Sequence, residues 1–113
     1  MIKRKSDMTV EIRQNPKGGV GDIQFTHVLT QEAQNKANLF SLIHLEPGQS
    51  IGLHAHQEDA EAMYVLSGHP SIVDDGETYL LSPGDATYCT GGHTHSLQNL
   101  SSEPAQVLAI VFK

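Results

Sequence analysis

The chain has 113 residues, of which 38% are hydrophobic and 18% are charged, and its formal net charge is −6. This length fits one domain with a hydrophobic core. The composition is that of a folded chain, and no apolar run is long enough for a transmembrane helix. Nucleic acids and anionic membranes are bound mainly through Lys and Arg, so neither is expected as a partner of this acidic chain.

The cysteine content and the start of the chain indicate a compartment. Cys89 is the only cysteine, and no apolar stretch of signal-peptide length follows the basic residues near position 1. A single cysteine cannot form an internal disulfide, which fits a reducing environment. We therefore expect a cytoplasmic protein, in which Cys89 is a small buried residue or a thiol near a functional site.

Residues 1–36 are predicted to form an N-terminal strand and loop segment ahead of the core of a single domain that spans 1–113. Met8, Val10 and Ile12 alternate with polar residues, as in a half-buried edge strand that pairs within its own sheet or with a partner's. The Pro- and Gly-containing stretch 15–21 indicates a loop, because glycine permits positive φ angles.

Short strands separated by turn signals then recur at intervals of about ten residues, and they make up the predicted core, 37–113. Asp74-Asp75-Gly76 is predicted to form a tight hairpin turn. This spacing is typical of an all-β sandwich or barrel. The predicted strands are 23–29, 39–45, 51–56, 61–66, 71–73, 78–81, 87–90, 95–100 and 106–112.

The stretch 48–68 contains the first functional motif. His54 and His56 are two residues apart, and on a strand such residues point to the same side, roughly 7 Å apart. Two imidazoles placed in this way can bind one metal ion, with Glu61 as a further ligand from a neighbouring strand. A pair of exposed strand histidines is the alternative interpretation of His-x-His alone.

A second motif lies in 84–99, where His95, Leu97 and Asn99 share one strand face. The two motifs together resemble the two signature motifs of the cupin superfamily, including the spacing of their glycines. Thr90 departs from the pattern, because cupins usually have proline there. The resemblance implies a double-stranded β-helix, or jelly-roll barrel. It also implies four metal ligands, which are His54, His56, Glu61 and His95.

Three neutral imidazoles and one carboxylate would hold one divalent ion per chain with a net charge of +1. Such an ion could keep open positions for water or substrate and could polarise an oxygen of a bound molecule. The ligand types do not distinguish Mn, Fe, Ni, Cu and Zn.

Several other residues are candidates for the surroundings of the ion. Met63, Val65 and Leu97 share strand parity with the ligands and are predicted to form an apolar pocket wall, or else ordinary barrel core. His93 is a candidate general acid or base, with a solvated loop histidine as the alternative. Asp59, with its neighbour Glu58, is expected in a solvated acidic turn.

The resemblance leaves three functions open. The first is a metal-dependent enzyme, dioxygenase-like or isomerase-like, that acts on a small and weakly charged organic molecule. The second is a non-catalytic binding module in which the metal anchors a small molecule. The third is an oxalate-decarboxylase-like enzyme.

The distribution of cations ranks the third function lower. A dianion is normally held by Arg or Lys as well as by a metal, and positions 37–112 contain neither residue. An oxalate-like ligand would therefore need Arg13, Lys17 or Lys36, from this chain or from a second subunit. A homodimer is also expected, because a basic N-terminal strand would complement an acidic barrel.

Overall fold

The computed structural model describes all residues, 1–113, and ten β-strands form most of it. Single turns of 3-10 helix occur at Lys5–Asp7, Pro16–Gly18 and Gln31–Ala33, and no helix has the length and hydrophobicity needed to cross a bilayer. The strands are β1 (Thr9–Gln14), β2 (Asp22–His27), β3 (Ala37–Leu45), β4 (Ser50–Ala55), β5 (Ala60–Ser67), β6 (Ser71–Asp74), β7 (Glu77–Leu80), β8 (Ala86–Cys89), β9 (Thr94–Gln98) and β10 (Ala105–Phe112).

The strands form two sheets. The larger has the order β1-β2-β3-β10-β5-β8 and the smaller has the order β4-β9-β6-β7, and all paired strands are antiparallel. From β3 to β10 the chain passes repeatedly from one sheet to the other, so both sheets are built from strands distant in sequence. This is the jelly-roll arrangement, and it confirms the predicted all-β fold.

The core lies between the two sheets, where thirteen buried hydrophobic side chains form one cluster. β10 lies at the centre of the larger sheet, between β3 and β5. Its inward residues Val107 and Ala109 are completely buried, as the period-two alternation of a strand requires.

The strands predicted from position 23 onward are all present, and their ends differ by at most two residues. The hairpin between β6 and β7 has the predicted turn. Asp75 and Gly76 have φ angles of 47° and 86°, which are the positive values of a type I′ turn.

The orientation of β1 was predicted wrongly. β1 is an edge strand paired with β2, but Val10 and Ile12 are 58% and 53% exposed. Glu11 and Arg13 lie on the opposite side of the strand, which is the side of the buried Phe25. The polar side of β1 therefore faces the barrel interior, because that part of the interior is a cavity and not the closed core.

Candidate metal centre

Four side chains converge inside the barrel, and we call them the ligand cluster. His54 on β4 lies opposite His95 on β9 in the register of the smaller sheet, and His56 follows the last residue of β4. Glu61 comes from β5 in the larger sheet. Each residue offers one donor atom, and these atoms lie within 4.8 Å of one another, so the structure brings together the four predicted ligands.

The distances within the ligand cluster can be compared with those around a metal ion. His95 Nε2 lies 3.1 Å from His54 Nε2, 3.2 Å from His56 Nε2 and 2.9 Å from Glu61 Oε1. Metal bonds of about 2.1 Å that meet at right angles place their donor atoms about 3 Å apart. The ligand cluster therefore has separations that suit a single divalent ion.

Hydrogen bonds behind two of the histidines fix their tautomers. His54 Nδ1 donates to the carbonyl of Gly52 at 2.7 Å, and His56 Nδ1 donates to the Asp59 carboxylate at 2.8 Å. When these imidazoles are neutral, both Nε2 atoms direct lone pairs into the ligand cluster. Lone pairs this close repel one another unless a cation lies between them, so the donor set fits a metal.

His95 is held differently. Its side chain is the most buried of the four, and its Nδ1 has no hydrogen-bond partner. The position of His95 therefore rests on packing and on its pairing with His54 between β4 and β9, and no acceptor selects its tautomer.

The electrostatics of the ligand cluster keep Glu61 ionised. Burial raises the pKa of Glu61, but when the Nε2 atoms of His54 and His95 carry protons, their hydrogen bonds to Glu61 outweigh this effect and lower the pKa to about 2. The hydrogen bond with Glu61 is also the main reason why the pKa of His54 is raised. Glu61 thus offers a charged oxygen donor among three nitrogen donors.

Asp59 has a more specific place than a solvated acidic turn, because its carboxylate accepts the hydrogen bond from His56. The Thr90 hydroxyl donates to the backbone carbonyl of Asp59 at 3.3 Å. Thr90 is the residue that replaces the usual proline, and a proline could not make this bond. A carboxylate three residues after a ligand histidine was the signal in the sequence.

A cavity of about 550 Å³ adjoins the ligand cluster. Met63 and Leu97 line it, as a pocket wall would, whereas Val65 does not reach it and lies in the barrel core, the alternative position for that residue. Further apolar lining comes from strands that the motifs do not include, so sequence reasoning missed it. These residues are Phe25, Leu39, Ile43, Ile51 and Val111.

The structure does not bring His93 to the cavity. Its side chain is 61% exposed and pairs with the Asp75 carboxylate on the β6–β7 turn. Cys89 is buried, its thiol donates to the His93 carbonyl, and burial raises the pKa of that thiol. Neither residue lines the cavity beside the ligand cluster.

Two cations of the N-terminal segment do reach the cavity. Arg13 on β1 and Lys17 in the turn after it both belong to the lining, within the same chain as the ligand cluster. An oxalate-like ligand was expected to need Arg13, Lys17 or Lys36, and the first two of these lie in the cavity wall of the same chain.

Comparison with known proteins gives consistent matches. The profile of the cupin domain family matches residues 41–111. An oxalate-binding protein of Thermotoga maritima is 36% identical over 112 residues, which cover 98% of this chain and 93% of that protein.

Solved structures agree with this match. The crystal structure of a predicted oxalate decarboxylase from Thermotoga maritima superimposes with a TM-score of 0.92 and 35% identity, covering 99% of this chain and 98% of that one. The polyketide cyclase RemF from Streptomyces resistomycificus has a TM-score of 0.80 with 22% identity, covering 99% and 80% of the respective chains. The second match concerns the fold alone.

Proposed function

Because the chain belongs to the family of cupin domains, we propose that it binds one divalent metal ion through the ligand cluster and a small organic molecule at that ion. The observation that carries the proposal is the set of four donor atoms within 4.8 Å, of which two are histidine nitrogens with fixed tautomers. Their chemistry suits Mn, Fe, Ni, Cu or Zn.

The surrounding residues suit a small molecule with oxygen donors. A bound divalent ion supplies a Lewis acid that can polarise a carboxylate or enolate oxygen. Met63 and Leu97 give the cavity an apolar wall that displaces water from a bound molecule. His54 and His56 are held by Gly52 and Asp59, so they need no reorganisation to act as ligands.

A metal-dependent enzyme and a non-catalytic binding module share this geometry. An enzyme would be dioxygenase-like or isomerase-like. Asp59 and Glu61 are the two carboxylates in the cavity lining that could transfer a proton. Incubation of Fe(II)-loaded and Mn(II)-loaded protein with enols, hydroxy-ketones and flavonols, followed by oxygen electrode and NMR, separates the two. Turnover supports the enzyme, and saturable binding without turnover supports the module.

An oxalate-like ligand is the second candidate. It is supported by the likeness to the oxalate-binding protein of Thermotoga maritima and by the placement of Arg13 and Lys17 in the cavity lining. Decarboxylation of oxalate by the Mn(II)-loaded protein, measured as released CO₂ and formate, tests this candidate directly.

Metal content is the first measurement for the whole proposal. Protein purified without added metal is analysed by mass spectrometry for its elements, and the apoprotein is titrated with Mn(II) and Zn(II). We expect one ion per chain. Apoprotein that binds neither ion in equilibrium dialysis at micromolar concentration would contradict the proposed function.

We also propose that residues 1–113 act as one domain and that two copies pair through the outer face of the larger sheet. Its strands β3, β10 and β5 place no Lys, Arg, Asp or Glu on that face, and an antiparallel sheet that faces water normally has polar residues there. Sedimentation of wild type and of Leu108→Asp tests the pairing, with monomers expected for the variant only. The apolar residues on this face include Val10, Ile12, Phe40, Leu42, Tyr64, Tyr88, Leu108 and Ile110.

A further inference from the structure

We propose that the free edge of β1 is a second surface for self-association, at which β1 pairs antiparallel with β1 of another copy of this chain. The two-fold axis lies between the two copies of Ile12, and the larger sheets of both copies continue into one another. This edge contact uses backbone groups of β1, whereas the pairing proposed above uses side chains on the outer face of the larger sheet. The two contacts therefore do not exclude each other.

The edge of β1 is the longest strand edge that the fold leaves uncovered. β1 is the first strand of the larger sheet, it pairs only with β2, and its register over Thr9–Gln14 has no bulge. The edge strands β7 and β8 have only four residues each, and β4 is in contact with the turn Pro16–Gly18. Proteins usually protect a strand edge by shortness, a proline, a bulge or a covering segment. β1 has no such protection.

The register of β1 and β2 shows which backbone groups are free. The Asn15 N–H donates to the Gly21 carbonyl at 2.8 Å, and hydrogen-bonded and non-hydrogen-bonded pairs alternate along an antiparallel ladder. Every second residue of β1 therefore bonds to β2, and the N–H and C=O groups of the residues between them point away from the sheet. Those residues are Val10, Ile12 and Gln14, and their backbone groups have no partner elsewhere in the chain.

The charges of Glu11 and Arg13 specify the register of a second β1 strand. Antiparallel pairing centred on Ile12 places Glu11 opposite the partner's Arg13, and Arg13 opposite the partner's Glu11. Moving the axis by about one residue places Glu11 opposite the partner's Glu11, or Arg13 opposite the partner's Arg13, and like charges directly opposite are destabilising. Inward-pointing charges normally oppose edge pairing, but these two are complementary. The centred register also forms about six main-chain hydrogen bonds.

Both charged side chains have free atoms for these ion pairs. Arg13 Nε donates to Glu11 Oε1 within the chain at 3.1 Å, and the same oxygen lies 2.7 Å from His27 Nε2. Glu11 Oε2 and the two terminal amino groups of Arg13 have no hydrogen-bond partner, so each copy keeps an acceptor and donors for the other. Arg13 also lines the metal cavity, so the partner's Glu11 adds a carboxylate at the edge of that cavity.

The edge contact is small. It involves six residues of each strand, and Ile12, which is 53% exposed, is the apolar side chain at its centre. Specific interfaces that bury less than about 1,000 Å² are weak or transient. We therefore expect most edges to be unpaired at micromolar protein concentration, which is consistent with the monomers expected for Leu108→Asp. A covalent trap is the appropriate way to detect the contact.

A disulfide across the two-fold axis tests the geometry. In the proposed register the two Ile12 Cα atoms lie about 5.5 Å apart, which suits a disulfide, whereas the two Val10 Cα atoms lie about 13 Å apart. Ile12→Cys and Val10→Cys are incubated with oxidised and reduced glutathione, so that the two thiols form one disulfide as glutathione disulfide is reduced. Mass spectrometry of the intact protein measures the cross-linked fraction. We expect at least about tenfold more cross-linking for Ile12→Cys.

A mixed sample tests the register itself. Val10 lies opposite the partner's Gln14, so a mixture of Val10→Cys and Gln14→Cys should give the cross-linked heterodimer. Neither variant should cross-link with itself, because both pairs of identical positions are about 13 Å apart.

Charge variants test the ion pairs in the Ile12→Cys protein. Arg13→Glu faces the partner's Glu11 and should lower cross-linking by at least about fivefold, and Glu11→Arg together with Arg13→Glu should restore most of it. Lys36→Glu is the matched control, because it makes the same change of charge at an exposed lysine outside β1 and should leave cross-linking unchanged.

Two results would overturn the inference alone. One is equal cross-linking of Ile12→Cys and Val10→Cys. The other is cross-linking of Ile12→Cys that disappears when Leu108→Asp is added, because the thiols then meet through the outer face of the larger sheet. The cross-linking needs no metal, so either result leaves the proposed metal binding to its own dialysis experiment.

Discussion

The two charged ends of the cavity are built in different ways. The ligand cluster is carried by β4, β5 and β9 and the residue after β4, and three of its four side chains are almost completely buried. The end formed by Arg13 and Lys17 is more open, since the Arg13 side chain is 41% exposed and Lys17 is exposed as a residue. The metal end, formed by the ligand cluster, is thus fixed by the fold, whereas the end with Arg13 and Lys17 depends on a few local contacts.

The largest effect should come from the most buried ligand. His95→Ala removes one of four donor atoms, so it should lower the affinity for Mn(II) and Zn(II) by more than about a hundredfold. This loss is larger than the one expected when a residue that only hydrogen-bonds to a metal-binding side chain is removed. Equilibrium dialysis measures this loss. His44→Ala is the control, because His44 is a half-buried histidine on the outer face of the larger sheet. Equal affinity in both variants would contradict the assignment of His95 as a ligand.

Asp59 tests how firmly the metal end is positioned. Asp59→Ala should lower metal affinity by about 10- to 100-fold, because His56 Nδ1 loses its acceptor. Asp59→Asn keeps an acceptor oxygen, so its affinity should stay within about tenfold of wild type. Glu58→Gln alters the neighbouring exposed carboxylate and should have no effect. If Asp59→Ala binds Mn(II) as well as wild type does, the hydrogen bond to His56 does not support the ligand cluster.

Gly52 joins the two ends, so its substitution should disturb both. The added methyl group of Gly52→Ala would force the Lys17 turn away from β4, with an expected loss of about 1–3 kcal/mol in the free energy of unfolding. The affinity of the Mn(II)-loaded protein for oxalate, the second candidate ligand, should fall as well, because Lys17 lines the cavity. Metal affinity should change less, because the carbonyl that holds His54 remains.

Denaturant unfolding and ligand titration check the prediction for Gly52. Gly76→Ala is the control, since Gly76 has a positive φ but open space around it. It should lose stability through backbone strain alone and keep its affinity for oxalate. A Gly52→Ala protein with unchanged oxalate affinity would show that the Lys17 turn does not need its contact with β4.

The smallest effect concerns the start of the chain. Lys3 Nζ lies 2.6 Å from Glu32 Oε2, and this bond is the main reason why the pKa of Glu32 is lowered to about 2 from the ordinary 4.5. Because the folded pKa is the lower one, the contact stabilises the fold fully above about pH 5, and this contribution is lost as pH falls towards 2. An NMR titration of the Glu32 carboxyl in wild type and Lys3→Gln measures it. A wild-type midpoint near 4.5 would contradict the contact.

The sequence was sufficient for the metal end and for the strands. His54 and His56 share a strand parity, which local periodicity predicts. The full set with Glu61 and His95 followed from the resemblance of the two motifs to those of cupins, and the structure brings Glu61 from the larger sheet to the three histidines. The hairpin at Asp75 and Gly76 was equally local, because positive φ angles restrict the residues that a tight turn accepts.

The sequence was not sufficient for the end of the cavity formed by Arg13 and Lys17. Alternation along β1 identified its two faces but not which one turns inward, because burial depends on whether core or cavity lies opposite. Arg13 and Lys17 reach the cavity only through the pairing of β1 with β2 and of β2 with β3 and through the packing of the turn on Gly52. Val65 could not be assigned to pocket or core, because parity gives a face of the sheet and not the depth at which a cavity ends.

The position of β10 in the larger sheet has a consequence for how the protein is made. β10 follows every other strand in the chain, yet it separates β3 from β5, so neither can complete its hydrogen bonding until residues 105–112 have left the ribosome. The meander of β1, β2 and β3 can form early, but Glu61 on β5 reaches its final place only afterwards. Nascent chains would therefore acquire the ability to capture a metal ion only after β10 has emerged and paired with β3 and β5.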